Sequence, residues 1–155
     1  MADLSAALRD IPNASQPLPL LATAGQPSPA QLEALKAAGV EVIIDIRDAM
    51  EPRGYDEAEA VRKLGMRYVN LSVRQGALSD AVMDAVLAEL RRDASSLTLL
   101  HCASANRVGG VLIPYLILDQ GMEEDAAVEA AMRIGMRGAD LMEWGLDYAR
   151  RKTGG

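Results

Sequence analysis

The sequence predicts an α/β domain with a mainly parallel central sheet flanked by helices, and three observations carry that expectation. Val40 to Ile46 is nearly all β-branched, as a parallel strand covered on both faces requires. A second strand-like run, Leu97 to Leu100, leads into the only histidine and the only cysteine and then into an apolar helix, Asn106 to Asp119. Capped helical segments alternate with such runs along the chain.

Taken in order, Leu4 to Ile11 reads as a short helix stopped by Pro12, and Ser, Gln and Pro residues then predict an irregular connection up to a strand at Leu18 to Ala22. Residues 1–17 are thus a lead-in to a single domain expected over 1–155. Ser28-Pro29-Ala30-Gln31 starts a helix, with Ser as N-cap, Pro at the first position and Gln closing the capping box. This helix faces the core with Leu32 and Leu35 and ends at Gly39. The strand Val40 to Ile46 ends in Asp45-Ile46-Arg47-Asp48, and a Pro- and Gly-containing loop, Glu51 to Gly54, follows. Asp56 to Leu64 reads as a polar helix and Arg67 to Val73 as a strand. Ser79 caps a long helix whose Val82, Val86 and Leu90 share one face. Asn106 to Asp119 is apolar nearly all round, which marks a helix buried at the centre. Gly109 and Gly110 each cost up to about 1 kcal/mol there relative to Ala, and a close backbone contact with the sheet is the expected compensation. Glu123 to Gly135 and Ala139 to Arg151 complete the helices, with Trp144 and Tyr148 as packing residues and Arg150-Arg151-Lys152 at a helix end suited to cations.

Composition limits the function classes. A net charge of -6 argues against a nucleic-acid partner, because phosphate backbones need a basic face. The longest apolar run, Val111 to Leu118, contains Pro114 and is too short to cross a bilayer, so no membrane partner is expected. The N-terminus lacks the basic flank and apolar stretch of a signal peptide, and a cytoplasmic location is expected. One cysteine forms no internal disulfide, and one histidine gives no zinc-type ligand set, so neither a metal nor a cofactor is expected. With no Phe, one Trp and eight Met, the core is aliphatic and adaptable.

The organising stretch is Leu97 to Gly110, a strand, a polar loop and a helix N-terminus. Unpaired N–H groups and the helix dipole make such a turn an anion site. A cysteine there ionises more readily than a free thiol, and the thiolate is the nucleophile. Arg107 offers a planar fork of donors matched to phosphate, sulfate or carboxylate oxygens. Cys102 and Arg107 therefore read as nucleophile and anion clamp, with Ala103, Ser104, Ala105 and Asn106 as the anion-binding loop between them. His101 is expected to fix the shape of the loop rather than act as a base. Ser104 and Asn106 are candidates for capping the helix or bonding the sulfur. Arg47, at the carboxyl end of its strand, either lines the same pocket or pairs with Asp48 at the surface. Asp45 as an aspartate nucleophile is a weak rival, because Arg47 stands where such sites place a second acid.

His-Cys, a short loop and Arg before a helix resemble the signature of the cysteine-dependent protein phosphatases, above all the dual-specificity type. The whole chain is similar to a bacterial branch of that superfamily, the beta-lactamase-hydrolase-like, phosphatase-like domain. Cys102, Ser104 and Arg107 fall on that branch's Cys-x-Ser-Gly-x-Arg pattern, and Ala24-Gly25-Gln26-Pro27-Ser28 and Leu64-Gly65-Met66-Arg67-Tyr68-Val69-Asn70 support it. The resemblance implies the dual-specificity/tyrosine phosphatase-like fold. Three positions depart from the superfamily pattern. The loop between Cys102 and Arg107 is shorter than in most phosphatases and matches rhodanese-type sulfurtransferases. Ala105 replaces the loop glycine and is strained if its φ is positive. Val108 stands where a hydroxyl residue helps release the cysteine. The resemblance also places the general acid in the loop at Arg74 to Leu78, which holds no carboxylate, and Asp80 beyond it sits where helix starts ordinarily carry acids. Without an acid, hydrolysis would be confined to leaving groups that need no proton.

The function expected first is hydrolysis of a phosphomonoester through a phosphocysteine, the substrate being a small oxyanionic molecule or a phosphoprotein. A sulfurtransferase carrying a Cys102 persulfide is the alternative, and a non-catalytic anion-binding or redox-sensing module is the third.

Overall fold

The computed structural model of the chain describes residues 3–154, so the first two residues and the last of the expected 1–155 domain lie outside the described residues. Five strands form one sheet, β1 (Ser15–Leu18), β2 (Leu21–Ala24), β3 (Val42–Asp45), β4 (Arg67–Asn70) and β5 (Thr98–His101), in the order β1-β2-β5-β3-β4. Only β1 runs antiparallel. The expected single strand Leu18 to Ala22 is instead this β1–β2 pair. Pro17, which donates no hydrogen bond, is tolerated because β1 is an edge strand.

Helices cover both faces. On one side α1 (Leu4–Leu8), α2 (Pro29–Ala37) and α3 (Glu57–Lys63) pack on Ala22, Ala24, Ile43 and Leu99. On the other, α4 (Asp80–Arg92), α5 (Asn106–Leu118), α6 (Glu124–Ile134) and α7 (Ala139–Lys152) pack on Leu21, Val42, Ile44 and Leu100. Alternate residues of β2, β3 and β5 thus feed two apolar layers, which is why these strands read as continuous hydrophobic runs. The expected boundaries hold to within a few residues, and the Ser28 capping box and Ser79 cap are both formed. Trp144 and Tyr148 are buried packing residues, as expected. No helix among the described residues is long and apolar enough to cross a membrane.

Helix α5 is buried from Val108 through Leu116, but its glycines meet helices, not the sheet as expected. A Cβ at Gly109 would lie 2.5 Å from Met136 Cβ, and one at Gly110 would lie 3.0 Å from Leu141 Cβ. Pro114 deprives the Gly110 carbonyl of its usual helical donor. That carbonyl faces Gly145 of α7, where an added Cβ would come within 2.6 Å. Small residues therefore let α7 press against α5 and hold the start of α5, and with it the loop from Cys102, in place.

The parallel register puts Ala24, His101, Asp45 and Asn70 in one row across the carboxyl ends of β2, β5, β3 and β4. The loops that leave this row build the site, as the carboxyl edge of an open parallel sheet does generally.

Candidate active site

The loop from Cys102 to Arg107 is tied down on all sides. The Cys102 amide donates to the Ala24 carbonyl at 3.3 Å, and the Gln26 amide to the Ala103 carbonyl at 3.0 Å. Gly25 must be glycine, since a Cβ would lie 2.6 Å from the Ala103 oxygen. Asn13 Nδ2 donates to the Ser104 carbonyl at 2.9 Å. Neither Ser104 nor Asn106 caps α5. Ser104 Oγ accepts from Arg137 Nη2 (3.0 Å), and Asn106 Oδ1 accepts the amides of Arg137 (2.6 Å) and Gly138 (3.1 Å). Both side chains clamp the loop to the α6–α7 connection, leaving the first amides of α5 without intrahelical acceptors. The N-cap itself is Ala105, at φ 69° and ψ 2°, in the left-handed region. The strain anticipated for an alanine there is present, at roughly 1–2 kcal/mol.

Cys102 is 1% exposed, at the base of this cradle. Beside it, Arg107 makes a two-pronged pair with Glu51, Nη1 to Oε2 at 2.8 Å and Nη2 to Oε1 at 3.0 Å, and Nη1 also reaches the Val73 carbonyl at 3.1 Å. The Glu51 hydrogen bonds, together with the neighbouring Cys102 sulfur, hold Arg107 above its ordinary pKa. Arg107 in turn lowers Glu51 to about 2, helped by the Asp48 amide and by Arg47 against the cost of burial. Arg47 shares the Glu51 carboxylate with Arg107 and is no surface partner of Asp48. Its Nε contacts Glu51 Oε1 (3.2 Å), Nη1 contacts Gln26 Oε1 (2.9 Å) and Nη2 contacts the Pro52 carbonyl (3.2 Å). Asp48 pairs with Arg74 instead.

His101 is fully buried and faces two acceptors, the Cys102 carbonyl 3.0 Å from Nδ1 and Glu57 Oε2 2.5 Å from Nε2. A ring facing two acceptors donates from both nitrogens, so it is an imidazolium. Burial opposes that charge, but the Glu57 hydrogen bond and the charges of Glu57 and Asp45 outweigh it and raise the pKa. Around the ring, Asp45 Oδ2 accepts from Arg53 Nε (2.8 Å) and Tyr68 OH (2.7 Å), while Gln26 Nε2 donates to Glu57 Oε1 (2.7 Å). Burial and the Asp45 carboxylate hold the Tyr68 hydroxyl well above its usual range. Asp45, Glu57 and His101 bring one ligand atom each within 4.8 Å of one another, a spacing open to a metal ion. Arg53 and the imidazolium already balance the two carboxylates, so the donor set does not fit a cation. With its oxygens committed to Arg53, Tyr68 and the Arg47 amide, Asp45 is also ruled out as a nucleophile.

The sequence reading did not foresee Glu51, Arg53 or Glu57. Glu57 lies in a helix read as polar, yet it is 2% exposed. Arg53 donates to the carbonyls of Asp48, Ala49 and Glu51 and so stiffens the loop that carries Glu51. The available signal was positional, since this loop leaves the carboxyl end of β3 beside β5. Of the supporting segments, Gln26 and Asn70 reach the site, Asn70 Nδ2 donating to the carbonyls of Asp45 and Arg47. Arg67 sits at the opposite end of β4, paired with Glu89 and Asp93. The loop 74–78 contains a single 3-10 turn, Gln75–Ala77, and Asp80 pairs with Arg151. An open cleft of about 370 Å³ adjoins the site, lined among others by Glu51, Arg53, Tyr55, Glu57, Tyr68 and Asn70.

No family model and no curated protein sequence matches the chain. Solved structures do. A presumptive phosphatase of the DUF442 group from Shewanella putrefaciens CN-32 superposes with a TM-score of 0.81 at 21% identity, over 95% of this chain and 97% of that one. Tk-PTP in its active form gives 0.75 at 17%, over 90% and 98%. TpbA of P. aeruginosa gives 0.72 at 23%, over 92% and 86%, and has also been solved in complex with phosphotyrosine. The chain therefore has the fold of the cysteine-dependent dual-specificity and tyrosine phosphatases, as its sequence motif implied. None of these three likenesses points to sulfur transfer.

Proposed function

We infer that the protein is a cysteine-dependent phosphatase, hydrolysing a phosphomonoester through a phosphocysteine on Cys102. The observation that carries this reading is the two-pronged grip of Arg107 on the Glu51 carboxylate beside Cys102, since the same fork fits two oxygens of a phosphoryl group. Phosphate in that position would lie at the N-terminus of α5, where the free amides and the dipole favour an anion. The sulfur attacks phosphorus, an S–P bond forms as the ester P–O bond breaks, and water later releases inorganic phosphate and the thiolate. Arg107 and the loop amides stabilise the charge that gathers on the equatorial oxygens. His101 acts as a positioning residue, its Nδ1–H holding the Cys102 carbonyl and hence the turn of the loop. The fold likeness to a protein solved with phosphotyrosine supports an aryl phosphate, on a small molecule or a phosphoprotein, as the first substrate to try.

The test is turnover of p-nitrophenyl phosphate. Cys102→Ser is expected to abolish it, and Arg107→Lys, which keeps the charge but loses the fork, to lower kcat/KM by about 10²–10³-fold. Wild-type rates in Cys102→Ser would overturn the reading. Rapid quenching followed by intact mass should show a phosphate adduct on Cys102.

A further inference from the structure

We propose that a cleft at the amino end of the sheet, opposite the Cys102 edge, binds a small organic ammonium ion, an amine carried on an aryl or branched-alkyl body. The cleft lies between the β1–β2 turn, the end of α4, the start of β5 and the last turn of α5, and has a volume of about 230 Å³. Thr98 stands in its wall at the first position of β5, while Cys102 follows the last, so the length of the strand, about 13 Å, separates the two sites. Binding there does not depend on the chemistry at Cys102. Leu18, Leu21 and Leu90 give the cleft apolar walls, and Leu20, a large exposed side chain, extends them to the surface. Set among them are Asp93, Thr98 and Tyr115, each more than nine-tenths buried. Burial and the Asp119 carboxylate raise the Tyr115 pKa, so the hydroxyl is neutral, and it has no hydrogen-bonding partner among the described residues. Thr98 Oγ1 donates to the Ser96 carbonyl at 3.0 Å and keeps its lone pairs free to accept. Asp93 Oδ1 accepts from Arg67, whereas Oδ2 is buried and receives no donor among the described residues. An ammonium group, with three N–H donors and no acceptor, is the complement of oxygens of this kind.

Charge makes the same choice. Arg67 Nη2 serves Glu89, at 2.8 Å, and Asp93 together, so two carboxylates share one guanidinium, and Arg92 adds only a longer-range pull on Glu89. Burial first, and then Glu89, raise the Asp93 pKa in spite of Arg67, as expected of a carboxyl group short of positive charge. A proton shared with Glu89 can meet that shortfall, and an ammonium ion arriving at Asp93 takes its place. A metal ion would leave the leucine walls facing water, and a carboxylate or phosphate would meet Asp93 and Glu89 as like charges. An organic cation satisfies both halves of the cleft. The volume lies below the usual range of about 300–1,000 Å³ for ligand pockets, which limits the body to one ring or a short branched chain.

The experiment titrates ¹⁵N-labelled protein at pH 7 with benzylammonium chloride, benzyl alcohol and sodium benzoate, following the amides of Leu20, Ala94 and Gln120 around the cleft. Benzylammonium is expected to shift all three saturably, with an affinity about 10-fold or more above that of benzyl alcohol, and benzoate to leave them unmoved. Asp93→Asn keeps an acceptor for Arg67 and leaves Arg67 and Glu89 balanced one to one, so the fold is retained. It should weaken benzylammonium by about 10-fold or more while changing benzyl alcohol little. Ala94→Leu, at an exposed position in the wall, should block both ligands without altering any charge. Equal affinity for amine and alcohol, undiminished amine binding in Asp93→Asn or Ala94→Leu, or saturable shifts found only in the acidic cleft beside Glu51 and Asp56 would each overturn the proposal, as would no saturable shift at all.

Discussion

Glu57→Gln separates two states of the buried histidine. In the wild-type protein Asp45, Glu57, His101 and Arg53 carry charges that cancel, and His101 donates at 2.5 Å to Glu57. An amide at position 57 still accepts from Gln26 and can turn its NH₂ toward Nε2. A neutral ring protonated on Nδ1 then satisfies every hydrogen bond, and Asp45 and Arg53 still cancel. What is lost is the difference between a charge-assisted bond, roughly 1.5–3 kcal/mol, and a neutral one, roughly 0.5–1.5, so about 1–2 kcal/mol is expected. Glu57→Ala leaves a buried charge unpaired and should cost about 3–5 kcal/mol. The pH dependence has opposite signs in the two proteins. Because His101 is raised in the folded wild type, its contribution is complete below about pH 6.5, the unfolded value, and is lost as the pH rises through the folded value. With a neutral ring in Glu57→Gln, the folded pKa lies below the unfolded one, and stability falls on acidification by up to about 1.4 kcal/mol per pH unit. The gap in urea midpoint between the two proteins should therefore widen from pH 7 to pH 5. The chain has one histidine, so its ring nitrogens are assigned in an NMR spectrum without ambiguity. A wild-type ring that is neutral at pH 6.5, or stability profiles that run parallel, would refute the imidazolium and the network built on it.

Two further substitutions test the packing that positions the loop. Gly109→Ala places a Cβ 2.5 Å from Met136 Cβ and 2.9 Å from the Ala131 carbonyl. Overpacking of about 1–3 kcal/mol should exceed the helix-propensity gain of about 1, lowering the urea midpoint, and a raised midpoint would contradict the α5–α6 contact. Ala105→Gly removes roughly 1–2 kcal/mol of left-handed strain but gives up about 0.8 for a buried methyl and about 0.5–1 in chain entropy. Its stability should stay within about 1 kcal/mol of wild type, and a gain well beyond that in urea unfolding would show that the strain is larger than the φ of Ala105 implies.

The sequence by itself determined the parallel sheet, because Val42 to Asp45 and Thr98 to His101 carry enough apolar side chains to need cover on both faces. It determined the strand, loop and helix start around Cys102 as well, since a strand, Cys102, four short residues and Arg107 before a helix leave backbone amides and a guanidinium in one turn. The capping box at Ser28 and the packing of Trp144 and Tyr148 were equally legible, being matters of local spacing. Tertiary structure decided the rest. Glu57 sits in a segment whose composition is that of a solvated helix, and only the register that sets Asp45 beside His101 turns it inward as a counter-ion. Ser104 and Asn106 have the chemistry of helix caps, but the approach of the α6–α7 connection gives their oxygens to Arg137 and Gly138 instead. Gly109 and Gly110 announce a close contact without naming the partner, which proves to be α6, α7 and their connection on the same side of the sheet. Glu51 lies 56 residues from Arg107 in sequence, and no local pattern relates the two. They meet because β3 and β5 are neighbours in the sheet, so the loops leaving their carboxyl ends share one edge, and a carboxylate there finds the guanidinium.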